Sequence, residues 1–331
     1  MTNDSQSIVV SGIRATGRLH LGNYIGAMKN FPSLQGTHRC FFFVADFHTL
    51  TSLTDPEQLK THLPEIILDY LAAGLDPQNS IIFAQSSVPE IPELSLLLGM
   101  VTPISELQRC PTFKEKVKLQ PDNVNLGLFG YPVLMAADIL IQKANLVPVG
   151  QDQLPHIEMT RQIARHFNLK FGEVFPLPDA LIEKAVRVPG LDGTGKMGKS
   201  EGNTIDLRDT PDVIEAKVTN AVTDTTRIKK SDPGHPFQCN VYAIHEFVTD
   251  SGLLPQIKRD CETAKMGCVE CKRMLAKSVI NFLAPFQERR AEIAKKPDYV
   301  RSILHDGGNK ARESASMTLE EVREKMGLAR F

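Results

Sequence analysis

Residues 11–30 read SGIRATGRLHLGNYIGAMKN, and they follow a short apolar run that begins at Ser7. The pattern predicts a buried strand over Ser7–Gly12, a glycine-containing turn, and a helix over Leu21–Phe31. Backbone N–H groups and the helix dipole converge at such a turn and favour an anion, a phosphate above all. Gly17 and Gly22 let a nucleotide approach the main chain, and His20 and Asn23 can donate to phosphate or ribose oxygens. The same residues would also suit an ordinary turn capped by His20, so the neighbouring sequence has to decide. The glycine spacing is not that of a dinucleotide fingerprint, and the chain contains no Walker phosphate loop.

Working outward, the alternation continues. CFFFVADF (Cys40–Phe47) and SIIFAQSS (Ser80–Ser87) are apolar strands, and NLVPVG (Asn145–Gly150) is another. Between them lie DPEQLKTHLPEIILDYLAAGL, with Asp55 and Pro56 placed to start a helix, then YPVLMAADILIQKA and DQLPHIEMTRQIARHFN. Strands alternating with helices, each strand almost wholly apolar, predict an α/β fold with a Rossmann-like, doubly wound parallel sheet. Ligands of such sheets bind beyond the carboxyl ends of the strands. The unusual residues fall there: Gly12–Asn23, Asp46–His48 and Gly150–Gln153.

The character changes after Lys184. RVPGLDGTGKMGKSEGN reads as a mobile glycine- and lysine-rich loop, and helix patterns follow to the end. TLEEVREKMGLARF is expected as a last helix with Thr318 as its cap. The 331 residues suffice for two domains, and a net charge of -1 excludes a bulk polycation, so a nucleic-acid partner would need a local basic patch. No basic and apolar leader opens the sequence and no apolar run has the length of a membrane span, so the expected place is cytoplasmic, with no membrane partner. The chain contains no Trp.

Two features carry chemistry. In GKMGKS, Gly195–Ser200, Lys196 and Lys199 sit three apart on the loop, where two ammonium groups can close over a polyphosphate. On the helix after Tyr131, the residues Tyr131, Met135, Asp138 and Gln142 share one stripe. Asp138 is flanked by Ala136, Ala137, Ile139 and Leu140, and a carboxylate in such surroundings needs a donor. A ring bearing one N–H or O–H would supply it, and phenylalanine would be rejected because the carboxylate would stay unpaired. This argument does not separate an indole from a phenol.

The His-x-Gly-Asn turn and the Lys-Met-x-Lys-Ser loop together resemble the two signatures of class I aminoacyl-tRNA synthetases. SGIRATGRLHLGNYIGA, FFFVADFHTLT, YPVLMAADILIQKANLVPVGQDQLPHIEMTRQIARHFN and KMGKSEGN resemble the bacterial tryptophanyl-tRNA synthetases from about Ser11 to the C-terminus. The resemblance implies activation of L-tryptophan by ATP with Mg²⁺, then transfer to tRNA(Trp), in a homodimer. It implies a catalytic domain over 1–205, with dimer and pocket helices at about 104–145 and the Lys loop at 192–203. A helical anticodon-binding domain would cover 206–331. By motif, Asp138 takes the indole nitrogen, with Tyr131, Met135, His48 and Gln153 nearby. Arg14, Ala15, Thr16, Gly22, Asn23, Gly150, Gln151, Asp152 and Val188 line the ATP site together with Lys196, Met197, Gly198, Lys199 and Ser200. Lys196, Lys199, Ser200 and His20 form the catalytic set. Gly198 stands where the family usually has Ser, and Arg14 where it often has Gln. The alternative within the class is a tyrosyl-tRNA synthetase. A free-standing adenylyltransferase would not need the long helical half, and an iron–sulfur electron carrier would not need the Lys loop.

Cys239, Cys261, Cys268 and Cys271 are spaced C-x21-C-x6-C-x2-C, a pattern for one metal site. Four thiolates suit Zn²⁺ or a [4Fe–4S] cluster, and spacing does not choose. A subset of tryptophanyl-tRNA synthetases carries a [4Fe–4S] cluster on a similar motif, one residue longer in the first gap. TDTTRIKKSDPG and GCVECKRMLAKS resemble that subset too, which favours iron–sulfur. Arg227, Lys229, Lys230, Lys258, Arg259, Lys265, Lys272 and Arg273 lie around these cysteines and would make a tRNA backbone surface.

Overall fold

The computed structural model describes residues 6–53, 55–110, 113–114, 117–118, 121–182, 187–198 and 201–328. Five strands form one parallel sheet: β1 (Ile8–Ile13), β2 (Arg39–Val44), β3 (Ser80–Ala84), β4 (Leu146–Val149) and β5 (Asp179–Ile182). Their order is β3-β2-β1-β4-β5. β1 pairs with β2 from Ile8↔Arg39 to Ile13↔Val44, and with β4 at Val9↔Leu146. The strand order reverses between β1 and β4, so the segments leaving those two strands flank the position where doubly wound sheets take ligands. These segments are Arg14–Thr16 and Gly150–Gln153.

The strands form where apolar residues run unbroken. In β2 every residue after Arg39 is buried, as befits a strand covered on both faces. Phe43 and Phe83 stack with ring centroids 5.6 Å apart. Around them, Val10, Phe41, Ala136, Ile139, Ile163 and Phe167 belong to one apolar core. The helix Pro56–Ala72 starts as expected, with the Asp55 side chain accepting from the N–H groups of Glu57 and Gln58. Tyr70 on this helix donates to the Phe43 carbonyl at 3.0 Å.

Several boundaries differ from the sequence reading, among them the helix expected from Tyr131, which runs from Leu126 to Leu140. The helix expected over Leu21–Phe31 is Leu21–Gly26, a single 3₁₀ turn, and then Phe31–Gln35, because Pro32 restarts the chain. β2 stops at Val44, and Asp46–Thr49 turns into a short helix that carries His48. β3 stops at Ala84, and Gln85–Ser87 is a 3₁₀ turn. Thr318 caps nothing: it lies deep in a helix running from Pro297 to Lys325 and donates back to Ser314 O at 3.4 Å.

The chain folds as two units. One comprises Met1–Gly17, Asn30–Lys184 and Lys296–Phe331; the other comprises Arg18–Lys29 and Ala185–Lys295. The sheet unit therefore does not close near residue 205, since the helix Pro297–Lys325 packs within it. The reason is Gly307: a Cβ there would overlap the carbonyl of Ile82 in β3, so only glycine lets the helix meet the main chain of this outermost strand. Arg312 Nε donates to Glu90 at 2.9 Å, Arg323 grips Glu93 at 2.6 and 2.7 Å, and Gln142 Nε2 donates to Ala311 O at 3.0 Å. In the other unit the helices Pro211–Thr219 and Cys268–Ala294 share a core that includes Ile214, Val218, Leu275, Val279 and Phe286. Tyr24 sets its ring edge-on to Phe282 and Phe286, tying the segment after His20 to the long helix.

Candidate active site

Asp138 lies in the helix Leu126–Leu140, 3% exposed. Its Oδ2 is 3.0 Å from His48 Nε2, and its Oδ1 accepts from Gln85 Nε2 at 2.7 Å. Burial pushes the carboxyl above the usual carboxylate range, and the His48 and Gln85 hydrogen bonds oppose that. Each carboxylate oxygen offers two lone pairs, so a ligand N–H can still be accepted. Tyr131, two turns earlier on the same helix, has its hydroxyl 2.8 Å from His156 Nε2. Its ring meets His48 edge-on at 6.5 Å. Met135 packs half-buried against the core, and Gln142 turns away to the C-terminal helix.

The carboxyl ends of the strands supply the rest of this unit's site. After β1, Ala15 N donates to Thr49 Oγ1 at 2.8 Å, and the Ala15 carbonyl is 3.1 Å from His62 Nδ1. Arg14 reaches the hydroxyls of Thr51, at 3.5 Å, and Ser52. Burial lowers the Arg14 pKa and Tyr131 opposes that, in a group that stays a cation. After β4, Gly150 leads into the turn Gln151–Gln153, where Gln153 N donates to Gly150 O at 3.0 Å and its amide reaches Asp152 at 3.3 Å. Thr16 is half-buried in the turn after Ala15.

The second unit brings the two signature segments together. Asn23 Oδ1 accepts from His20 N at 3.1 Å, which fixes the first turn of Leu21–Gly26. Leu21 N donates to Ile205 O at 2.8 Å and Leu207 N to Leu19 O at 2.9 Å, so residues 19–21 pair with the chain leaving the Lys loop. A Cβ on Gly22 would stand 3.0 Å from His20 Nδ1 and 3.5 Å from Met197, so this turn packs against the loop itself. Hydrogen bonds run through the described part of the loop. Met197 is buried, and its N–H donates to Val188 O at 3.0 Å. Asn203 Oδ1 accepts from Gly198 N at 2.9 Å, and Asn203 Nδ2 donates to Asp192 at 2.9 Å. Thr194, more than Asn203, holds the Asp192 carboxyl below the usual range. Lys196 is exposed on this frame. A Cβ on Gly198 would overlap the Glu201 carboxylate, so a Ser here would need that side chain to swing aside. Lys199 and Ser200 lie outside the described residues.

Sequence reasoning missed Gln85, Asn203 and His156. Gln85 carried one signal: it is the first polar residue after a buried strand, on the side where ligands sit. Asn203 and His156 carried none, since their partners are set by the fold.

Cys239, Cys261, Cys268 and Cys271, all free thiols, line one small cavity with Arg227. Cys268 and Cys271 open the helix Cys268–Ala294, and Cys261 ends the helix Leu254–Glu262. Burial pushes Cys271 up to about 12 and raises Cys261, while Arg227 opposes both shifts. Arg227 directs one guanidinium nitrogen at Cys268 Sγ, 3.9 Å away, and its buried Nε has no partner among the described residues. Among the described residues, no three His, Cys, Asp or Glu side chains are drawn together closely enough to hold a metal ion as they stand. No described helix is long and apolar enough to cross a membrane.

This fold, with its two signature segments in one unit and a pocket carboxylate in the other, matches a known class: residues 2–284 fit the model of the class I tRNA synthetases for tryptophan and tyrosine. The tryptophan–tRNA ligase of Thermotoga maritima is 44% identical over 325 residues, spanning 97% of this chain and 99% of its own. That of Aquifex aeolicus is 40% identical, spanning 97% of this chain and 99% of its own. Among solved structures, the tryptophanyl-tRNA synthetase of Campylobacter jejuni, complexed with ADP and tryptophan, superposes with a TM-score of 0.88 at 36% identity, covering 97% of this chain and all of that one. A tyrosyl-tRNA synthetase of Archaeoglobus fulgidus shares the fold alone, at 19% identity and a TM-score of 0.65. The chain belongs to the tryptophan–tRNA ligases, EC 6.1.1.2.

Proposed function

We propose that the residues carried over by motif do the work of this ligase as follows. Tryptophan is held by its indole N–H on Asp138, with Tyr131, Met135, His48 and Gln153 around it. The observation that carries this reading is a buried carboxylate at the ligand end of the sheet, held in place by two donors and retaining lone pairs for a third. ATP is contacted by Arg14, Ala15, Thr16, Gly150, Gln151 and Asp152, and by Gly22, Asn23 and Val188. A tryptophan carboxylate oxygen attacks the α-phosphorus, the bond to the bridging oxygen breaks, and pyrophosphate leaves. Mg²⁺, bound with the nucleotide, spreads the charge of the departing phosphates. Lys196 and Lys199 do the same from the protein side, and His20 and Ser200 donate to phosphate oxygens. The terminal ribose hydroxyl of tRNA(Trp) then attacks the adenylate carbonyl and AMP leaves. No protein nucleophile is needed; positioning and charge stabilisation suffice.

The test is ATP–pyrophosphate exchange on the purified protein with tryptophan, with tyrosine, and with neither. Exchange with tryptophan alone is expected. Exchange with tyrosine alone would keep the class and overturn the Asp138 reading.

We further propose that the helical part of the chain after residue 205 meets the tRNA anticodon and that the four cysteines hold a [4Fe–4S] cluster, with Zn²⁺ the alternative. Four thiols lining one cavity, with a partnerless Arg227 nitrogen beside them, suit an anionic sulfur-ligated group. When bound, the cluster would cross-link two helix ends and the turn at Cys239 without supplying a reactive step. Anaerobically purified protein is expected to contain iron and acid-labile sulfide in equal amounts, and zinc without sulfide would refute the cluster. In the homodimer proposed here, the second copy covers Leu96, Met100, Ile104 and Leu126, which are 63%, 63%, 64% and 83% exposed. Like its relatives in translation, the enzyme would work in the cytoplasm.

A further inference from the structure

Gln85 is wholly buried and spends its entire side chain on this site. Its Oε1 accepts from Phe47 N at 3.1 Å and His48 N at 3.4 Å, while its Nε2 donates to Asp138 Oδ1 at 2.7 Å. The orientation is chemically forced. Two main-chain N–H groups can only donate, so the amide oxygen must face them and the NH₂ must face the carboxylate. One amide thus joins the end of β3, the turn that carries His48, and the helix that carries Asp138. His48 in turn holds the other oxygen of the same carboxylate. Both oxygens are then pinned from elements fixed to each other by Gln85, so the carboxylate can neither rotate about its bond nor move without breaking the set.

We propose that Gln85 is a positioning residue for amino-acid specificity: by clamping Asp138 to the His48 turn, it fixes which carboxylate lone pairs stay open to a ligand N–H. The proposal rests on the reading of Asp138 as the acceptor for the indole N–H. A buried acceptor discriminates by the penalty it suffers when unpaired, and that penalty needs a rigid acceptor. A carboxylate free to turn could find another partner and would tolerate a ring without a donor.

Gln85→Met keeps the volume and removes both ends of the clamp. The measurement is kcat and KM in ATP–pyrophosphate exchange with tryptophan and with its benzothiophene analogue, in which sulfur replaces the ring N–H. For tryptophan, kcat/KM is expected to fall about tenfold or more, chiefly through KM. For the analogue it should change less than about threefold, so the preference for tryptophan collapses. Equal losses with both substrates, or no loss with either, would overturn the proposal, because a residue that only supports the fold moves both alike. Asp138→Asn, measured beside it, separates the two readings. If that variant keeps the full preference for tryptophan, the Asp138 reading fails. If it loses the preference while Gln85→Met keeps it, the Gln85 proposal alone fails. Should Gln85→Met not fold, Gln85→Asn carries the test: its amide, one methylene shorter, cannot span from the His48 turn to Asp138, and the preference should fall in the same direction.

Discussion

Asp138→Asn is expected to lower kcat/KM for tryptophan about a hundredfold, with most of the loss in KM. The reason lies in the donors around it. His48 and Gln85 both meet the carboxylate, one at each oxygen. An amide has one acceptor and one donor end, so its NH₂ must face a group that now donates. Either a hydrogen bond is lost or His48 changes tautomer, and the remaining carbonyl is a weaker acceptor than a carboxylate. Stability should move the other way. Burial raises this carboxyl's pKa above its unfolded value, so the native state holds the proton longer. Stability then falls as pH rises from the ordinary carboxyl range through the folded pKa, so above that ordinary range this group subtracts from stability. Asn removes that burden, so Tm at neutral pH should hold or rise. Steady-state exchange kinetics and calorimetry check the two halves, and a kcat/KM within threefold of the parent would sink the role given to Asp138.

Gly307→Ala is expected to cost about 3 kcal/mol, a Tm lower by about 5–10 °C. The added methyl has nowhere to go: its nearest neighbours would be the carbonyl and amide nitrogen of Ile82, main-chain atoms of a strand bonded into the sheet. At the next position, Gly308→Ala would meet the Ser87 side chain, its Oγ at 2.8 Å and its Cβ at 3.0 Å, a milder overlap than that with the Ile82 carbonyl. The second variant should therefore lose much less than the first. Calorimetry on both decides. Equal, small losses would mean that the helix Pro297–Lys325 does not depend on this approach to β3.

How much of this was legible depended on whether the cause was local. The unbroken apolar runs at Val9, Phe41–Phe43 and Ile81–Phe83 announced buried strands, and the ligand end of the sheet followed from their order. β5 was not legible, because Asp179–Ile182 is four residues long, none of them buried, and its apolar run is only Ala180–Ile182. The stripe through Tyr131, Met135 and Asp138 could be read from helical spacing. The clamp on Asp138 could not, because Gln85 is 53 residues away and only the sheet brings it near. The two signature segments could each be recognised in the sequence. Their pairing through Leu19–Leu21 and Ile205–Leu207 is main-chain bonding, which leaves no mark on side-chain pattern. Thr318 misled because Thr with Glu three residues on reads as a cap wherever it falls, and nothing local said that the helix had begun at Pro297.

The seating of the helix Pro297–Lys325 on β3 has a consequence for how the protein is made. The hydrogen bonds that fasten it, Arg312 to Glu90 and Arg323 to Glu93, join residues 222 and 230 positions apart. Between them the ribosome must produce the whole stretch Ala185–Lys295, which folds into the other unit. Until then the main-chain groups of β3 that Gly307 will meet have no cover, and an uncovered outer strand is a template for pairing with another nascent chain. At roughly 5–20 residues per second, that strand waits on the order of ten to forty seconds for its own helix. Folding of the sheet unit is thus timed by the emergence of its most distant segment, not by the strands that compose it.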